Sequence, residues 1–289
     1  MATASEWLAG SRPRTLPAAV APVLVGTGAA AQAGGAHAGR AALALGVALA
    51  LQVAVNFSND YSDGVRGTDV DRVGPMRLTA SGAAPPAQVR NAAVLSFAVA
   101  SAVGLWLIAL SGAWWLVAVG MLCIVGAWTY TGGKRPYGYL GLGEVGVFVF
   151  FGLVAVLGTT YTQLGRVTWP AVVGAVAIGL LACALLMANN LRDVPTDALV
   201  GKRTLAVRLG DRRARRLYAV MVSVPVLLGA VCAFAAPWSL LVLLLLAPAL
   251  LLAGVVLAGA RGIALVPVLG GTGLLELVFG ALLGLGLAL

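Results

Sequence analysis

Charge is scarce in this sequence. Of its 289 residues only 10% are Asp, Glu, Lys or Arg while 61% are hydrophobic, a surface that water could not solvate, so a soluble domain is excluded. Histidine occurs once, as His37, with no acidic or thiol neighbour, which argues against a histidine-based catalytic pair. The three cysteines, Cys123, Cys183 and Cys232, lie in apolar segments without paired spacing, and this excludes a disulfide framework or a zinc site. No cleavable leader is expected, because Glu6, Arg12 and Arg14 precede the first apolar run and no small-residue cleavage site follows a short hydrophobic core. Glycine is abundant at 38 residues, but scattered among alanines in apolar runs it reads as close helix packing and not as a dinucleotide-binding loop.

What the chain does have is a series of long apolar runs, each able to cross the roughly 30 Å hydrocarbon core as a helix. The expected spans are 15–33, 41–60, 91–111, 114–131, 143–160, 170–190, 216–236, 238–258 and 263–288, with Gly270-Gly271 a candidate break in the last. The expectation is therefore an all-α polytopic membrane bundle of about nine transmembrane helices, forming a single domain over residues 1–289. A net charge of +9 would suggest nucleic acid in a soluble protein, but here the bases lie in loops between spans, so no nucleic-acid partner is expected. With the N-terminus in the cytoplasm, only Arg40 and Arg166 of the 19 bases fall outside, which makes that orientation the expected one.

Two cytoplasmic connections, 61–90 and 191–215, are long, and long loops in a compact protein are usually functional. They follow the second and sixth spans, four helices apart, a spacing that suggests a duplicated four-helix unit. Six of the ten carboxylates sit in two clusters where these connections open: Asp60, Asp63, Asp69 and Asp71 in the first, Asp193 and Asp197 in the second. If the helices continue past the membrane, Asn56, Asn59, Asp60 and Asp63 share one face, as do Asn190, Asp193 and Asp197, although Pro195 is expected to perturb the second. Carboxylates at membrane depth are costly unless paired or bound to cations, and a helix cap needs only one of them.

Oxygen donors without histidine or thiolate favour a hard cation, and few ligands per cluster suits Mg²⁺ held between carboxylates and a phosphate. Arg66, Arg72 and Arg77 lie beside the first cluster, Arg192, Lys202 and Arg203 beside the second, and Lys134 and Arg135 in a third cytoplasmic loop. Such mixed charge suits a diphosphate, with the metal on some oxygens and Arg or Lys on the others. A transporter with an ion site is the rival reading, but it would place the charges near mid-bilayer and not at helix ends on one face. His37 reads as a loop residue and Glu276 as structural, while Glu144 fits either a helix N-terminal charge or a group near Lys134 and Arg135.

These two aspartate-rich segments, each following a helix on the cytoplasmic side, resemble the UbiA superfamily of intramembrane aromatic prenyltransferases. The likeness is carried by SRPRTLPAAVAPVLVG, NDYSDGVRGTD, RVGPMRLTASG, YTGGKRPYGYLGLGEV and NNLRDVPTDALVGKRTLAVRLG, covering residues 11 to 211, and points to the naphthoquinone branch. Many superfamily members read NDxxDxxxD in the first motif, whereas here five residues separate Asp63 from Asp69.

The resemblance implies a bacterial inner-membrane enzyme that moves a polyprenyl group from polyprenyl diphosphate to 1,4-dihydroxy-2-naphthoate with loss of CO₂. It implies Mg²⁺ on Asn59, Asp60, Asp63, Asp193 and Asp197, the four aspartates being the catalytic set. Lys134, Arg135, Lys202 and Arg203 would share the leaving diphosphate charge, and Tyr61, Tyr130 or Tyr139 would shield the allylic cation. Asn56, Arg66, Asp69 and Asn190 complete the implied substrate-binding residues. A different aromatic acceptor is the alternative within the superfamily. The prenyl tail would lie between helices, in contact with membrane lipid, and the site would face the cytoplasm.

Overall fold

The computed structural model describes residues 2–68 and 76–289, and every regular element among them is helical. Thr3 opens α1 (Ala4–Gly10) with a reciprocal cap: its hydroxyl accepts from the Glu6 N–H at 3.3 Å, and the Glu6 carboxylate accepts from the Thr3 N–H at 2.6 Å. The chain then bends by 47° between Ala4–Thr15 and α2 (Pro17–Gln32), with Arg12 in the left-handed region at φ 54°. The following helices are α3 (Ala38–Arg66), α4 (Pro86–Ser111), α5 (Leu116–Thr129) and α6 (Gly143–Leu164). After them come α7 (Trp169–Leu199), α8 (Leu205–Leu209), α9 (Asp211–Phe234), α10 (Pro237–Leu257) and α11 (Gly262–Ala288).

All nine expected spans fall on helices. Seven of these helices are long and apolar enough to cross a membrane, and the bent pair ending in α2 makes eight. The remaining one, α5, has 14 residues, about 21 Å of helix against a core of roughly 30 Å. Two local expectations change. Gly270-Gly271 does not break the last helix, which runs unbroken over Val266–Ala288, and a Cβ on Gly271 would come within 2.9 Å of Leu252 Cδ2. Pro195 does not interrupt α7 either, so Asp193 and Asp197 stay on one continuous helix.

Lipid tails are as apolar as leucine, so burying apolar surface does not by itself drive these helices together; close approach of small residues does. A Cβ on Gly280 of α11 would lie 2.7 Å from Ala21 Cα of α2, so glycine there is what lets the two helices touch. At the centre is α7, with 67% of its most apolar window buried, against 28% for α4. It packs on α6, α9, α11 and α2 through Ala175, Ile178, Leu181 and Met187, while α3 packs mainly on α4.

One end of the bundle carries exposed Trp114, Trp115, Trp169 and Trp238 at helix starts, the pattern of an interfacial aromatic belt. Arg40 lies at the same end and ties three helices by donating to the Leu110 carbonyl at 2.6 Å and the Thr162 carbonyl at 3.0 Å. His37 caps α3: its Nδ1 accepts from the Arg40 N–H at 3.4 Å, and its own N–H donates to Gln163 Oε1 at 3.0 Å. His37→Ala is thus expected to cost about 1 kcal/mol of stability, as loss of a cap does, and to leave turnover unchanged. Thermal unfolding and an activity assay check the two halves of that expectation.

Candidate active site

At the opposite end, α3 and α7 carry their acids into the last turns. Gly67, at φ 71°, stops α3 immediately after Arg66, because only a residue without a Cβ adopts that conformation at little cost. The helix therefore keeps Asn56, Asn59, Asp60 and Asp63 on one face, and all four are buried. Their partners differ, and so do their roles.

Asn56 donates to the Ser11 carbonyl at 2.8 Å and to the Thr15 hydroxyl at 2.9 Å. Through these two bonds it holds the bent N-terminal segment against α3. Asp60 is fully buried; its Oδ2 accepts from the Leu78 N–H at 2.8 Å and its Oδ1 from the Thr79 N–H at 2.9 Å. Each oxygen thus accepts one N–H from a main-chain turn, which ties Asp60 to that turn and leaves a further lone pair on each oxygen.

Asn59 and Asp63 face the centre of the site. Asn59 Oδ1 accepts from the Thr131 hydroxyl at 2.9 Å. Asp63 Oδ1 accepts from the Tyr139 hydroxyl at 2.6 Å, and its Oδ2 lies 3.6 Å from Lys202 Nζ and 3.8 Å from Arg77 Nη2. Burial, and then the neighbouring Asp63 carboxylate, push the Tyr139 phenol well up, so it stays protonated and donates. Lys202 Nζ also stands 4.8 Å from the centre of the Tyr139 ring, and the Arg66 guanidinium stands 5.4 Å from it. Arg66 donates to the carbonyls of Thr131 and Gly133 and so binds the 131–133 turn to α3.

The second motif meets the first through the loop after α7. The Lys202 N–H donates to the Asp197 carbonyl at 2.9 Å, and the Arg203 N–H to the Tyr139 carbonyl at 3.0 Å. Asp193 accepts a two-pronged contact from Arg192, at 2.6 Å from Nε and 2.7 Å from Nη2. Asp193 and Asp197 are both buried. Asn190 donates to Glu144 Oε1 at 2.9 Å, and Tyr130 packs edge-on against Tyr137 with ring centres 5.4 Å apart.

Three expected bases are not in the cluster by their side chains. Lys134 and Arg135 are exposed and form no hydrogen bond or ion pair with any described residue, and Arg203 is exposed and enters through its main chain. Asp69, with Asp71 and Arg72, lies outside the described residues. Thr131 is the contact the sequence did not flag, since a lone threonine after an apolar run carries no signal of its partner.

Among the described residues, no three His, Cys, Asp or Glu side chains come together as a metal cage. The donors instead come as oxygens of one or two residues per motif, with buried cations among them. That set fits Mg²⁺ brought in with phosphate oxygens, because Mg²⁺ is commonly held by one or two carboxylates plus substrate phosphates. It does not fit zinc, whose sites are built chiefly on Cys sulfur and His nitrogen.

The sequence pattern described as the UbiA prenyltransferase family matches residues 19–265. A Mycobacterium tuberculosis protein named 1,4-dihydroxy-2-naphthoate octaprenyltransferase is 55% identical over 279 residues, covering 96% of this chain and 95% of that one. The Escherichia coli protein of the same name is 41% identical over 222 residues, covering 75% of this chain and 72% of that one. Among solved structures, a UbiA homolog from Archaeoglobus fulgidus bound to GPP and Mg²⁺ superposes with a TM-score of 0.72 at 16% identity, covering 98% and 99% of the two chains. The helical bundle, Asp63 and the loop after the second acid-bearing helix joined at Tyr139, and the match along most of the sequence agree: the chain belongs to the UbiA prenyltransferase family.

Proposed function

We propose that this protein transfers a polyprenyl group from polyprenyl diphosphate to 1,4-dihydroxy-2-naphthoate, with loss of the ring carboxylate as CO₂, in menaquinone biosynthesis. The observation that carries the reading is 55% identity across nearly the whole length of a protein named for that reaction. The site's chemistry supports it. Asp60, Asp63, Asp193 and Asp197, with Asn59 beside them, are the residues that would hold Mg²⁺, whose positive charge would stabilise the departing pyrophosphate. Lys202 and Arg77, poised at Asp63, are placed to turn to the same phosphate oxygens as negative charge develops there. The Tyr139 ring, already flanked by two cations, offers its face to the allylic carbon as it becomes electron-poor.

The distribution of bases supports a cytoplasmic N-terminus, nine spans with α5 as the short one, and a site open to the cytoplasm of a bacterial cell membrane. In that setting the tail stays in lipid while the diphosphate and ring meet at the acid-lined mouth. The test is transfer from a radiolabelled polyprenyl diphosphate by the purified protein, with 4-hydroxybenzoate as rival acceptor. The expected product is prenylated naphthoquinol with one CO₂ released; prenylated hydroxybenzoate in its place would reassign the acceptor.

A further inference from the structure

Glu144 is the second residue of α6 and is 4% exposed. Its Oε1 is taken by Asn190, but its Oε2 is buried and meets no hydrogen-bond donor among the described residues. Lys134 and Arg135, near which one of its two sequence readings put it, do not pair with it among those residues. Leaving a buried acceptor without a donor is unfavourable, and such a group in a folded protein calls for an explanation.

The surroundings supply one. Asn190 stands three residues before Asp193 on the same face of α7, so Glu144 is held about 4.5 Å of helix rise beneath the acids. Tyr130 packs beside this carboxylate's helix and against Tyr137, and its hydroxyl bonds to no described residue. Its ring borders the start of α6, where a Cβ on Gly143 would lie 3.4 Å from Cε2. Glu276, whose two oxygens are also buried without partners, is a weaker candidate. No hydrogen bond ties it to a residue of the site among the described residues, whereas Glu144 is bonded to Asn190 on the acid-bearing helix.

Building on the acceptor reading above, we propose that Glu144 is a catalytic residue on the acceptor side: its free Oε2 takes the proton of a ring hydroxyl as the new carbon–carbon bond forms. As that O–H bond breaks, its electron pair passes through the ring to the carbon bearing the carboxylate. That carbon bonds to the allylic carbon, whose bond to oxygen breaks with the pair leaving on pyrophosphate. CO₂ then departs, its bonding pair returns to the ring, and the resulting phenolate recovers the proton from Glu144. Asn190 and the start of α6 hold the carboxylate in place throughout.

Glu144→Gln and Glu144→Asp test the assignment, with the wild-type protein assayed alongside. Affinity for geranylgeranyl diphosphate with Mg²⁺ is expected to stay within about twofold in both, showing a folded diphosphate site. In the Gln variant kcat should fall by about 10²-fold or more, as loss of a general base does, while KM for the naphthoate changes little and the Asp variant recovers part of the rate. Across naphthoates with increasingly acidic hydroxyls, the Gln variant should regain rate far more steeply than wild type, because a more acidic hydroxyl needs less help. A Gln variant within about threefold of wild type, or one whose deficit ignores acceptor acidity, overturns the proposal. Wild-type protein that binds diphosphate yet transfers to no naphthoate would instead fail the acceptor reading itself.

Discussion

Asp63→Asn is expected to lower prenyl transfer by about 10²- to 10³-fold, the loss typical when one group that stabilises developing charge is removed. The substitution keeps the side chain's shape and leaves an oxygen to accept the 2.6 Å bond from Tyr139, so the packing around α3 is conserved. What it removes is the charge facing Lys202 and Arg77 and the anionic oxygen on which a cation would be held. Asp193→Asn should behave alike, its remaining oxygen still accepting from Arg192. Turnover of both variants is measured beside circular dichroism and gel-filtration profiles in detergent. Full activity in either folded variant would remove that residue from the metal assignment.

Chelation is the second large effect. EDTA is expected to stop transfer altogether and Mg²⁺ to restore it, because no described cluster of protein ligands forms a cage that would retain the ion against a chelator. Ca²⁺ is expected to restore far less, being larger and preferring six to eight oxygens. A rate unchanged in chelator would rule out metal-assisted departure of the diphosphate.

The acids were legible in the sequence because helical spacing is a strong constraint. Residues three and four apart share a face whatever lies around them, and α3 and α7 do extend far enough to present Asp63 and Asp193 together with their neighbours. Their partners were not legible. Nothing in the spacing of Asp60 reveals that Leu78 and Thr79 turn their N–H groups toward it, since a loop's path is decided by tertiary packing. The same limit applies to Asn56, whose partners come from a bend before the first full span. Lys202 and Lys134 are both loop lysines that directly follow a glycine, yet one is buried over Tyr139 and the other is exposed. The span count shows a different limit: hydropathy found the apolar segment around α5 but not how few of its residues are helical.

The lengths of α3 and α7 carry one more consequence. Asp63 lies 25 residues along α3 and Asp193 lies 24 along α7, placing both about 36–38 Å from the far ends of their helices. A hydrocarbon layer of roughly 30 Å therefore leaves the acid-bearing turns only a few ångströms clear of it. Hydrophobic mismatch then becomes a property of the reaction and not just of anchoring. A thicker bilayer draws the charged turns toward the tails unless the bundle straightens or the lipid thins, each at a cost of a fraction of a kcal/mol per Å. The two helices act as a depth gauge, setting the height at which the prenyl carbon meets the ring against the thickness of the membrane around them.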